Sequence, residues 1–177
     1  MMEKQQNLMK EISLNLKINY KYIETERMGD APFLGVLISA CDCNFNCKNC
    51  FNQHIKSLPT KQIAISELID IVKSNPFQKG VIFAGLEWSL QQQELEMMID
   101  AFHKNNILTM VYTGHNITSP YVQYLINETS VDYIKYGQYV ESLATVNHIE
   151  NGVILASSNQ HIWERKNVNV KNNQKSR

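Results

Sequence analysis

Leu14, Leu16, Ile18, Tyr20 and Tyr22 alternate with polar residues, the period-two signature of a strand with one buried face. The run Phe33-Leu-Gly-Val-Leu-Ile-Ser39 is almost wholly apolar and predicts a buried strand. From there the period switches repeatedly between helix and strand. Ile65, Leu68, Ile69 and Val72 share one helical face, with Ser66 placed to cap it. Val81-Ile-Phe83 is a short strand running into Gly85. Ser89 and Gln92 fit a capping box ahead of a helix whose inner face is Leu95, Met98, Ile99 and Phe102. Ile107 to Tyr112 predicts a strand ending at Thr113-Gly114, and Ser119-Pro120 opens a helix with Tyr121, Leu125 and Ile126 inward. Val131 to Ile134 and Val153 to Leu155 complete the expected strands.

This alternation predicts an α/β fold with a mostly parallel sheet and helices outside. With no repeat and no linker, residues 1–177 are expected to form a single domain, with 1–12 and 165–177 as mobile tails. Ligands of parallel α/β folds sit at the carboxyl ends of the strands. The unusual segments fall at those ends: the cysteine loop after Ile38, Ala84-Gly-Leu-Glu87, Tyr112-Thr-Gly114, Gly137, and Ser157-Ser-Asn-Gln160. That edge is the expected site.

Composition narrows the classes. Lys+Arg and Asp+Glu are equal at 17 each, so no net charge steers the chain toward nucleic acid or an anionic membrane. The longest apolar stretch is too short to span a bilayer. The first residues lack an apolar leader with a small-residue cleavage site. All four cysteines lie together, which points to a reducing compartment, with the cytoplasm as the expected location.

Those cysteines are Cys41, Cys43, Cys47 and Cys50, the last three in the spacing C-x3-C-x2-C. One short loop carrying three thiolates suits a 4Fe–4S cluster with one iron left open. An open iron binds a small molecule directly, so the loop reads as a catalytic cluster rather than an electron relay. The bland alternative is a structural zinc site. Zinc ordinarily takes four ligands from two separated pairs, and no second cysteine pair exists here, although His54 could contribute. Cys41 reads as a neighbouring thiol rather than a ligand. His103, His115, His148 and His161 share no ligand spacing and are assigned no role.

The motif Cys43-Asn-Phe-Asn-Cys47-Lys-Asn-Cys50-Phe51-Asn52 resembles the cluster loop of radical S-adenosylmethionine (SAM) enzymes. With Ile18-Asn-Tyr20, Tyr112-Thr-Gly114 and Ser157-Ser-Asn-Gln160, residues 18–162 most resemble the activating protein of anaerobic ribonucleoside-triphosphate reductase. The resemblance implies a partial (βα) barrel, a 4Fe–4S cluster on Cys43, Cys47 and Cys50, and SAM chelated to its open iron. It implies a glycyl-radical reductase as partner and a flavodoxin- or ferredoxin-type electron donor. Gly85 and Glu87 would hold the SAM amino group, Thr113, Ser157 and Asn159 its methionine or ribose, and Phe51 would pack on the adenine.

Each has an ordinary structural alternative. Glu87 could be a helix-start carboxylate, Thr113 a turn residue, Ser157 and Asn159 a turn cluster, and Phe51 core filler. The family's Gly-Gly-Asp/Glu-Pro segment is Ala84-Gly85-Leu86-Glu87-Trp88 here, and Asp42 replaces the usual glycine.

Overall fold

A computed structural model of the protein describes residues 14–166. The predicted strand over 14–22 divides in two: β1 (Lys17–Tyr20) and β2 (Ile23–Arg27). The break follows from their partners. β1 pairs antiparallel with β4 (Lys61–Ala64), whereas β2 pairs antiparallel with β3 (Gly35–Ser39), so the chain must turn between them.

β4 runs directly into α1 (Ile65–Lys73), which starts one residue ahead of the expected cap. Ala64 occupies the N-cap without a side-chain bond, and Ser66 falls inside the helix. Strand β5 (Gly80–Ala84) leads through a single-turn 3-10 segment at Trp88–Gln91 into α2 (Gln92–Lys104). The Ser89–Gln92 capping box does not form; the Glu87 carboxylate accepts the Ser89 amide instead. β6 (Leu108–Tyr112) follows, then α3 (Pro120–Glu128), where Ser119 accepts from the Val122 amide at 3.2 Å as the Ser-Pro signal predicts.

β7 is Tyr133–Tyr136, shifted toward the carboxyl side of the expected strand. Val153 and Ile154 form β9, which pairs with β8 (Ile149–Glu150) in a hairpin of their own rather than joining the main sheet. The chain ends the sheet with β10 (His161–Glu164), antiparallel to β7.

The main sheet has six strands in the order β10-β7-β6-β5-β3-β2. The four inner strands are parallel and the two edges antiparallel. Alternate residues sort to its two faces. Val36, Ile38, Val81, Phe83, Val111 and Ile134 face one large core that receives the apolar sides of all three helices. Ile82, Ala84 and Met110 face the other way and meet Ala31 and Phe33. Trp88 and Phe102, both fully buried, flank Phe83 at 5.4 and 6.0 Å between ring centroids.

Arg165, expected in a loose tail, is anchored: its guanidinium donates to the carbonyls of Ile126, Thr129 and Val131. The rest of that tail, 167–177, and the expected N-terminal tail, 1–12, lie outside the described residues. Among the described residues, no helix is long and apolar enough to cross a membrane.

Candidate iron–sulfur site

The cysteine loop leaves β3 and lies across the carboxyl ends of β5, β6 and β7, where a cleft opens between them. Backbone geometry at those ends admits the loops. Gly85 has φ +82°, and a Cβ there would come within 2.7 Å of the Ser39 side chain. Gly137, with φ +100°, would bring a Cβ to 2.9 Å from the Asn159 carbonyl. Neither position takes an L side chain without displacement. At Gly114 the space is filled by the Phe45 ring, which also meets His115 edge-on at 5.1 Å. Phe45 lies between Cys43 and Cys47, so this contact seats the cysteine loop on the end of β6.

The loop is held from its other side by cations. Lys56 Nζ donates to the Cys43 carbonyl at 2.7 Å, and Lys21 Nζ to the Lys56 and Leu58 carbonyls at 2.9 and 2.6 Å. Lys48 pairs with Glu141 at 2.7 Å, and Asn49 donates to the same carboxylate. Cys43, Cys47 and Cys50 are half-buried free thiols. Burial pushes the Cys43 thiol up, reinforced by the negative charge of Glu87 and only partly opposed by the Phe45 hydrogen bond and Lys56. A bound cation is what converts such a thiol to thiolate at neutral pH. Cys47 Sγ accepts from Gln138 Nε2 at 3.5 Å, the kind of bond that tunes a cluster sulfur.

Four ligands of one tetrahedral zinc with Zn–S near 2.3 Å lie about 3.8 Å apart. The three loop thiols are not gathered into a group whose donor atoms lie within 4.8 Å. Their all-thiol chemistry and C-x3-C-x2-C spacing, with Cys43 and Cys47 lining the cleft, fit a 4Fe–4S cluster better than one ion.

Glu87 organises the cleft wall. Only 3% exposed, its carboxylate accepts from the Ser89 amide at 3.1 Å, the Thr113 hydroxyl at 3.0 Å and the Gly114 amide at 3.0 Å. Its own amide donates to the Asp42 carbonyl at 2.9 Å, joining the β5 loop to the cysteine loop. The departures noted at Leu86 and Trp88 are core substitutions. Leu86 is 6% exposed and Trp88 0%, and both pack in the main core.

Cys43, Cys47, Gly85, Glu87 and Thr113 line one cleft. Cys50, Phe51, Ser157 and Asn159 lie outside its lining. Phe51 is 74% exposed and packs near Tyr139 at 5.9 Å. Ser157 is fully buried, with Oγ accepting from Val140, and Asn159 donates to the Gln138 carbonyl at 2.8 Å. In the Ser-Ser-Asn-Gln segment it is Gln160 that reaches the cleft, donating to the Gly137 carbonyl at 3.1 Å.

Lys135 was missing from the sequence reading. It is the penultimate residue of β7, lines the cleft, and has no hydrogen bond or ion pair to its ammonium among the described residues. Its Nζ lies 5.3 Å above the Tyr112 ring. Burial pulls its pKa down to about 8, against the upward pull of Cys47 and Glu87. A lysine near the end of an apolar strand segment, just before a glycine, was the available signal.

Residues 34–163 match a family described as a 4Fe-4S single cluster domain, and the chain belongs to that family. Binding of a 4Fe–4S cluster follows from this membership and is compatible with a redox enzyme. No curated protein matches the chain.

Proposed function

We propose that this protein is a radical SAM activating enzyme that installs a glycyl radical on an anaerobic ribonucleoside-triphosphate reductase. The observation that carries the reading is a cleft with two cluster thiols, a buried carboxylate at Glu87 and an unpaired ammonium at Lys135 on its walls. SAM brings a zwitterionic amino-acid group that such walls complement: Glu87 faces its ammonium and Lys135 its carboxylate. Gly85 and Gly137 let the loops of the cleft wall close against Ser39 and Asn159. Thr113 fixes the Glu87 carboxylate through its hydroxyl. When bound, the cluster supplies the electron that splits SAM and releases a 5′-deoxyadenosyl radical.

All three helices on one face of the sheet suit the partial (βα) barrel of that superfamily, which belongs to the same proposal. Phe51, Ser157 and Asn159 then shape the rim and the loop behind it rather than touch SAM. A low-potential flavodoxin- or ferredoxin-type protein is the proposed donor, in an anaerobic cytoplasm.

One feature favours a macromolecular substrate over a small molecule. Tyr139 lines both the cleft and an adjoining apolar groove bordered by Phe51, Val146 and Ile154, which are 74%, 77% and 61% exposed. An apolar rim of this kind suits a docking protein segment. A different glycyl-radical enzyme would fit the same rim and is the rival reading.

The test is anaerobic reconstitution with iron and sulfide, reduction, and assay of 5′-deoxyadenosine from SAM. Product that disappears in Cys43→Ala is expected. A glycyl-radical electron paramagnetic resonance doublet on the added reductase completes the reading. An intact cluster that never cleaves SAM, with or without that partner, overturns it in favour of a metal-binding adaptor.

A further inference from the structure

Away from the cysteine loop, a second set of metal-binding side chains meets at the β10 edge. His148 immediately precedes β8 and Glu150 lies two residues on, so extended backbone turns both to one side. His161 is the first residue of β10. The Asn151-Gly152 turn, with φ of 49° and 78°, folds the hairpin, and His148 and Leu155 close it with a 2.8 Å backbone bond.

One ligand atom from each of the three side chains lies within 4.8 Å of the other two. His161 Nδ1 is 2.7 Å and His148 Nε2 3.3 Å from Glu150 Oε1. Ligands of a tetrahedral ion with metal–nitrogen bonds near 2.1 Å sit about 3.4 Å apart, so small rotations suffice to enclose one. The imidazole rings stand nearly perpendicular, at 81°, with centroids 5.5 Å apart.

The carboxylate is oriented from behind by an outer partner. Glu150 Oε2 accepts the Ile162 amide at 2.6 Å, leaving Oε1 toward the two rings. His148 Nε2 also lies 2.9 Å from the Gln160 carbonyl, a contact exchanged for the metal on binding. The side chains are 25%, 27% and 46% exposed for His148, Glu150 and His161, which leaves water access for a remaining coordination position.

We propose that His148, Glu150 and His161 form a second metal site, for a divalent transition ion of the zinc class, with water completing the coordination. Two imidazoles and a carboxylate are borderline donors of the kind zinc takes, distinct from the all-thiolate set that selects an iron–sulfur cluster. The site pins the β8–β9 hairpin to β10. Its effect reaches the cleft because Gln160, the cleft-lining residue bonded to Gly137, is the immediate neighbour of His161. The proposal is independent of the SAM reading.

The experiment starts from protein already loaded with its cluster, dialysed anaerobically against buffered Zn2+. Iron and zinc are counted together and the melting temperature is recorded. Wild type is expected to take up about one zinc per chain without losing iron, and to melt higher. His148→Ala and His161→Gln should each lose at least about tenfold of the bound zinc and the added melting temperature, while iron content and circular dichroism stay unchanged. Co2+ in place of Zn2+ should give visible ligand-field bands without thiolate-to-cobalt charge transfer. Equal zinc in wild type and variants, no zinc in wild type, or a thiolate–cobalt band with no separate nitrogen–oxygen site would each overturn the proposal.

Discussion

In the cysteine loop, three soft donors between Cys43 and Cys50 are delivered by one segment and pressed onto the sheet by Phe45, Lys56 and Lys48. At the β10 edge, three harder donors come from two elements, brought together where the Glu150 carboxylate accepts the Ile162 amide. The first needs tertiary structure to be seated but not to be assembled. The second has no ligand set at all until the β8 segment has packed against β10. Ligands close in sequence remain neighbours in the unfolded chain, so the loop can capture iron before folding is complete. The histidine set gains its affinity from the fold.

The largest effect expected is the loss of one loop ligand. Cys47→Ala should drop iron from about four per chain to near zero while zinc uptake at the histidines survives, read by metal analysis on the same sample. Loss of both together would mean that the two regions are coupled more closely than their geometry implies.

Next is Glu87→Ala. It strands the Ser89 and Gly114 amides and the Thr113 hydroxyl in a buried wall, and is expected to cost about 2–4 kcal/mol by denaturant unfolding. Thr113→Val, which removes one of the three donors, should cost about 1 kcal/mol.

Gly137→Ala tests the path between the regions. Its φ of +100° and the 2.9 Å approach to the Asn159 carbonyl predict destabilisation by about 1–3 kcal/mol and a shifted 157–160 loop. If that loop links the β10 edge to the cleft, zinc affinity should fall as well, which a competition titration reads.

Lys135→Met carries a pH signature. The folded pKa of Lys135 lies near 8, below its ordinary 10.5, so the folded state releases this proton first. Below pH 8 the charged amine burdens the wild type, and the burden fades as pH rises from about 8 to 10.5. The variant should therefore be the more stable at pH 7, with the difference shrinking over that window in urea unfolding.

The smallest effect belongs to His161→Gln in metal-free protein. Half-exposed imidazole–carboxylate pairs contribute little, so a change under about 1 kcal/mol is expected in thermal unfolding.

What could be read before the structure follows the same division. The helix faces at Leu68, Leu95 and Leu125 and the inner strands were visible because their periodicities are local. The N-cap at Ser66 and the capping box at Ser89 were misplaced, since β4 and the Glu87 carboxylate fix the helix starts instead. Both sheet edges went unseen. β2 is masked by its half-exposed pattern, and β10 sits where no apolar run announces it. Asn151-Gly152 was a hairpin signal in plain view. His148 and His161 looked unrelated because the packing of the β8 segment against β10, through the Glu150 carboxylate, rather than spacing, makes them neighbours.

The seat of Phe45 on Gly114 has a consequence for biosynthesis. A ribosome delivers the cysteine loop well before the strand end on which it rests. A nascent chain that stops short of Gly114 presents three thiols with no floor beneath them and no Glu87–Thr113 contact to brace the wall. Insertion that yields a seated centre thus awaits the emergence of residues up to Gln160. Ribosome-stalled chains ending before and after that residue, translated anaerobically and counted for retained iron, would give the order of events directly.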